Sequence, residues 1–101
     1  MKSTAFDMAM VAYRQGDMEG AFRQFLSLAE AQDADAMNMA ANMFERGQGT
    51  YRDPGRAVFW WKKAVEIGNV DALADYGQYL VTAFFDGKEQ KLGAGYLVTA
   101  P

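Results

Sequence analysis

The sequence predicts an all-α chain built from stacked helix pairs, and three observations carry that reading. Proline occurs only at positions 54 and 101, and residues that favour helices fill the stretches between turns. Apolar residues recur at helical spacing in segments that open on Asp and close on Gly. The pattern also returns after a shift of 36 residues.

In chain order, the first helix runs from about Thr4 to Gln15, with Ala5, Met8, Ala9 and Ala12 on one face. Gly16-Asp17 makes a turn, and Asp17 caps a second helix over roughly 18–32. Its apolar face is Ala21, Phe22, Phe25, Leu28 and Ala29. Asp33 or Asp35 opens a third helix that ends near Arg46, with Met37, Ala40, Ala41 and Phe44 inward. A glycine-rich loop follows (Gly47, Gly49), after which Asp53 supplies an N-cap and Pro54 the first helical position.

The fourth helix carries Ala57, Trp60, Trp61, Ala64 and Val65 on one broad face, and Gly68 stops it. Asp71-Ala72 opens a fifth, from about Val70 to Phe84 or Phe85, packed through Leu73, Tyr76, Gly77 and Leu80. A short sixth is expected from about Glu89 to Leu97 or Val98.

The 36-residue shift lays Asp17 on Asp53, Ala21 on Ala57, Glu30 on Glu66, Asp35 on Asp71 and Ala36 on Ala72. Conservative matches lie between them: Phe25 on Trp61, Met37 on Leu73, Ala41 on Gly77 and Phe44 on Leu80. Another shift sets Gly93 under Ala57 and Leu97 under Trp61. Small residues thus recur where helices approach closely, with large ones filling the hole beside the contact. One pair cannot bury such a face alone, whereas stacked pairs can. The first helix matches the third only at an offset near 32, through Ala9 and Ala41, so the first unit has the shorter turn. The units expected are about 3–33, 34–69 and 70–101, in one domain spanning 1–101.

The segment GQGTYRDPGRAVFWWKKAVEIGNVDA resembles the Sel1-like repeat, a relative of the tetratricopeptide repeat. The resemblance rests on Gly47, Gly49, Asp53, Ala57, Trp61, Ala64 or Val65, and Gly68. The first unit is more similar to a plain tetratricopeptide repeat, and the third is degenerate, lacking the G-x-G loop and carrying Leu97 in place of the aromatic. The resemblance implies a right-handed α-solenoid of about two and a half Sel1-like/tetratricopeptide-like repeats that scaffolds protein–protein contacts.

Composition narrows the function. The chain has 101 residues, a formal charge of −3 with both signs interspersed, and neither Cys nor His. A nucleic-acid footprint needs a basic patch or stripe, so no nucleic-acid partner is expected. Without Cys or His, the commonest nucleophile–base pairs and zinc sites cannot be assembled, and no enzyme activity, metal or cofactor is expected. No apolar run approaches the ~20 residues of a membrane helix, and the start of the chain lacks the core of a secretory signal. A cytoplasmic, bacterial-style module is the expectation.

Acid pairs such as Asp33/Asp35 and Asp71/Asp75 sit at helix N-termini, where they read as caps and not as hydrolytic pairs. Trp61 reads as core, Trp60 as less constrained, and Gly47-Gln48-Gly49 lacks the Gly-Lys-Ser/Thr ending of a phosphate loop. The binding candidates lie on the first helix of each pair, which by the resemblance lines the concave groove. Apolar anchoring is expected from Phe6, Met10 and Tyr13, and polar contacts from Asn38, Asn42, Arg46 and Gln78. Asn38 and Asn42 are four apart, so their amides share a face that suits a peptide backbone. Phe84, Phe85, Tyr96 and Leu97 form a second candidate surface, where a homodimer or a heteromeric contact through residues 84–98 is expected. The function expected is a scaffold or adaptor that binds a protein or peptide in the groove; the alternative is a small inhibitor or immunity-type regulator of an enzyme.

Overall fold

A computed structural model describes residues 4–85. They form five helices: α1 (Thr4–Arg14), α2 (Met18–Glu30), α3 (Ala34–Arg46), α4 (Pro54–Ile67) and α5 (Val70–Phe85). The expected sixth helix lies outside the described residues, as do Tyr96 and Leu97. Each helix packs on the next in the chain, and α3 also lies against α5.

The helix starts are fixed by side-chain caps. The Asp17 carboxylate accepts from the Gly20 amide at 3.0 Å, Asp33 from Ala36 at 3.1 Å, and Asp53 from Arg56 at 3.1 Å. Each satisfies an amide that the helix geometry leaves without a partner. Asp33 and not Asp35 caps α3. The cap of α5 is Asn69, whose side-chain oxygen accepts from the Ala72 amide at 2.7 Å. The sequence reading assigned that opening to Asp71-Ala72 and passed over Asn69.

Gly47 and Gly68 end α3 and α4 in the left-handed conformation, with φ of 70° and 99°. Gly49 has φ of 75° and lies so close to α2 that a Cβ there would collide with the Met18 carbonyl. The glycine loop therefore presses its backbone onto the start of α2.

Aromatic contacts join the pairs. Phe6 of α1 meets Phe25 of α2 edge-on with ring centroids 5.4 Å apart, and Phe22 meets Phe44 edge-on at 5.0 Å. Trp61, 1% exposed, stacks on Tyr76 at 5.8 Å and lies 5.4 Å from Tyr79. Two α5 tyrosines thus grip the indole of the preceding pair, which is what docks α5 on α4.

Two faces differ from the sequence reading. In α1 the buried positions are Phe6, Ala9 and Ala12, while Ala5 is exposed and Met8 is 61% exposed. The helix turns so that the Phe6 ring is buried against Phe25, removing more apolar area from water than Ala5 offers. In α5 the buried positions are Ala72 and Ala83, with Tyr76 and Tyr79 packed against the core. Leu73 is 59% exposed, Leu80 is 38% exposed, and Gly77 is also exposed. The two tyrosines decide the rotation of α5, because they are the side chains that reach Trp61.

Candidate functional site

The groove residues nominated by the sequence separate into three groups. Phe6 is 8% exposed in the core and cannot anchor a ligand without leaving Phe25. Met10 and Tyr13 are half-buried against the same core, and the Tyr13 hydroxyl donates to the Gln48 side chain at 3.2 Å. This end of α1 ties the first pair to the glycine loop.

Asn38 is also internal. It is 8% exposed, and its Oδ1 accepts the indole N–H of Trp61 at 3.1 Å. A buried indole N–H needs an acceptor, and Asn38 is placed one helix away to supply it. That oxygen is therefore committed to the fold.

Asn42, Arg46 and Gln78 are brought together. They line one hollow between α3 and α5, about 130 Å³ in volume, with Glu45, Trp61, Asp75, Tyr79, Thr82 and Ala83 forming the rest of its wall. That volume suits a few waters or a single side chain, far less than the 300–1,000 Å³ or so typical of small-molecule sites. Asn42 and Arg46 are four apart on α3, and Gln78 and Thr82 four apart on α5, so each helix presents two residues to the hollow.

Its polar groups are partly spoken for. The Asn42 side-chain NH2 donates to Asp75 at 2.9 Å, and the side-chain oxygen is a further acceptor. Gln78 donates to the Thr82 hydroxyl at 3.3 Å on the surface. Glu45 pairs with Arg52 at 3.6 Å, and the Arg52 Nε–H also donates to the Glu45 carbonyl at 2.7 Å. Arg46 is exposed and makes no ion pair with the described residues, so its charge stands at the rim without an internal acid.

Asp75 is the residue that sequence reasoning misplaced. It does not cap α5 but accepts from Asn42 across the α3–α5 contact. Under the 36-residue shift Asp75 falls on half-buried Met39, so the repeat carried no signal for it. A parallel link joins the same helices at their starts, where Asn69 donates to Asp35 at 2.8 Å. The two bonds, one at each side of the contact, fix how α5 leans on α3. Of the second candidate surface, Phe84 is 38% and Phe85 80% exposed.

No three acids among the described residues are grouped so as to hold a metal ion. Nor is any described helix long and apolar enough to cross a membrane. No curated protein and no solved structure matches the chain significantly. Residues 34–69, however, match the family model of the Sel1 repeat. Repeats of this family are non-catalytic and mediate protein–protein interaction. The matched stretch takes in the α3–α4 hairpin, with the glycine loop inside it and the Gly68-Asn69 turn that closes it.

Proposed function

We propose that this chain is an adaptor that holds a segment of a partner protein across the hollow between α3 and α5. The observation that carries the reading is the convergence of Asn42, Arg46, Gln78 and Thr82 on one concavity, with the Arg46 charge unpaired among the described residues. Amide and hydroxyl groups suit a peptide backbone, and a rim guanidinium suits a carboxylate on the bound segment. The size of the hollow fits one inserted side chain, with the rest of the segment lying over α3 and α5.

The test is affinity capture from the native source with wild type, Arg46→Glu and Gln78→Ala, each checked for an unchanged melting temperature. Both positions are exposed, so both variants should fold. The expected result is loss of the captured partner with Arg46→Glu and weaker recovery with Gln78→Ala. Added salt should weaken capture by wild type, because a rim ion pair is screened. Equal recovery by all three proteins would exclude this hollow as the main contact.

A further inference from the structure

Two carboxylates stand in the wall of the α3–α5 hollow, Glu45 and Asp75, and among the described residues only Glu45 is matched by a cation. Asp75 is half-buried and held by one neutral hydrogen bond, from the side-chain NH2 of Asn42 at 2.9 Å. An ionised carboxylate accepts at about four lone-pair positions, so most of its capacity stays open. Arg46 lines the same hollow, yet it is exposed at the rim and no ion pair joins it to Asp75.

The rest of the wall suits a long side chain with an apolar stem. Trp61 and Tyr79 contribute rings with centroids 5.4 Å apart. The Trp61 indole N–H is taken by Asn38, so this ring adds apolar surface and no donor. Asn42 and Gln78 each direct an NH2 hydrogen to a neighbour, Asp75 and Thr82, and each keeps a side-chain oxygen as an acceptor. A hollow of about 130 Å³ admits one side chain.

An open carboxylate with amide oxygens beside it and aromatic rings behind it matches a basic side chain that buries its stem and keeps its charge at the tip. The tip is better an ammonium than a guanidinium. Guanidinium grips both oxygens of a carboxylate as a planar fork, and Asn42 already holds Oδ2 of Asp75. An ammonium is a compact donor that can turn its hydrogens to Asp75 and the amide oxygens separately.

We propose that this hollow is a binding site for an ammonium group, filled by a lysine of the bound segment, with its tip on Asp75 and its stem against Trp61 and Tyr79. That the lysine belongs to a partner rests on the adaptor function proposed above; the preference for a cation does not. With Arg46 at the rim taking a carboxylate, the fitting segment carries a lysine and an acid close together.

The probe is n-butylammonium, a free copy of the lysine tip, with n-butanol and butyrate beside it at constant ionic strength. Binding is followed by nuclear magnetic resonance on the full nitrogen-15-labelled chain, through the Trp61 indole N–H and the Asn42 side-chain NH2. The expected result is a saturable shift of both groups with butylammonium, none with butyrate, and roughly ten-fold weaker binding of butanol. Asp75→Asn keeps an acceptor oxygen for Asn42 and removes the charge, and should weaken butylammonium roughly ten-fold at an unchanged melting temperature. The comparison of the three probes needs no variant, so it stands if Asp75→Asn does not fold.

Arg46→Glu separates the cation site from the partner. Replacing a like charge should tighten butylammonium binding, whereas the same variant should lose the captured partner. Tighter binding with unchanged capture would overturn the partner half of the proposal alone. Equal binding of butylammonium and butanol, equal binding by wild type and Asp75→Asn, or no saturable shift would overturn the cation site, even where capture depends on Arg46.

Discussion

Replacing Asn38 by Ala should damage the fold and not the binding surface. Asn38 is 8% exposed, and its Oδ1 accepts from the indole N–H of Trp61, itself 1% exposed, at 3.1 Å. The variant leaves that N–H buried with no acceptor, for which the expected cost is about 1–3 kcal/mol. At roughly 4–8 °C per kcal/mol for a domain of this size, a cost of about 2 kcal/mol lowers the melting temperature by roughly 8–16 °C. Thermal and urea unfolding followed by circular dichroism measure it, with the urea slope unchanged because the surface exposed on unfolding is the same. Trp61→Phe removes the donor, so the double variant should lose less than the sum of the two singles, by about 0.5–3 kcal/mol. Strict additivity, or a melting temperature for Asn38→Ala within about 2 °C of wild type, would refute the assignment of Asn38 to the core.

Gly49→Ala should destabilise strongly, since its Cβ would collide with the Met18 carbonyl at a φ of 75°, whereas Gly16→Ala, with φ of 88° and open space around it, should cost only about 1 kcal/mol; equal melting temperatures for the two would contradict the close approach of loop and α2. Asn69→Ala should cost about 1–2 kcal/mol in urea unfolding, through loss of the α5 cap and of the bond to Asp35. Arg52→Ala should cost less than about 1 kcal/mol, because its 3.6 Å pair with Glu45 is partly exposed and screened by water; a larger loss would mean that the loop depends on this arginine. Tyr79→Ala should loosen α5 from Trp61 and speed amide exchange in α5 before it affects α1 and α2, a local opening that hydrogen exchange can separate from global unfolding.

Local chemistry settled much of this molecule in advance. Asp17 and Asp53 cap helices because a short acceptor just ahead of an apolar-periodic run can do little else, and Gly47 and Gly68 end them because the left-handed turn admits glycine freely. The span Pro54–Ile67, read from its cap, proline and closing glycine, is the helix observed. Trp61 as core followed from its place in the repeat, and it is 1% exposed. The all-α class and the Sel1 pattern were equally legible, since each depends on spacing along the chain.

What spacing cannot give is the arc of each helix that its neighbours will cover. Periodicity puts Met8 with Ala5 and Ala9 on one face of α1, but burial of the Phe6 ring on Phe25 turns the helix the other way. On α3, Asn38 and Asn42 are equal candidates by sequence, and only the fold separates them: one satisfies a buried indole, the other lies at the α3–α5 hollow and holds Asp75. On α5 the repeat leaves Leu73 and Tyr76 equally apolar, and the grip of Tyr76 and Tyr79 on Trp61 decides which side faces in. Sequence by itself placed the five described helices and most of their ends, because caps and glycines act within one turn; it left the α3 cap between Asp33 and Asp35 and missed Asn69 as the cap of α5. Tertiary structure decided which face is core and which is site, because burial is a competition among large side chains brought together from different helices.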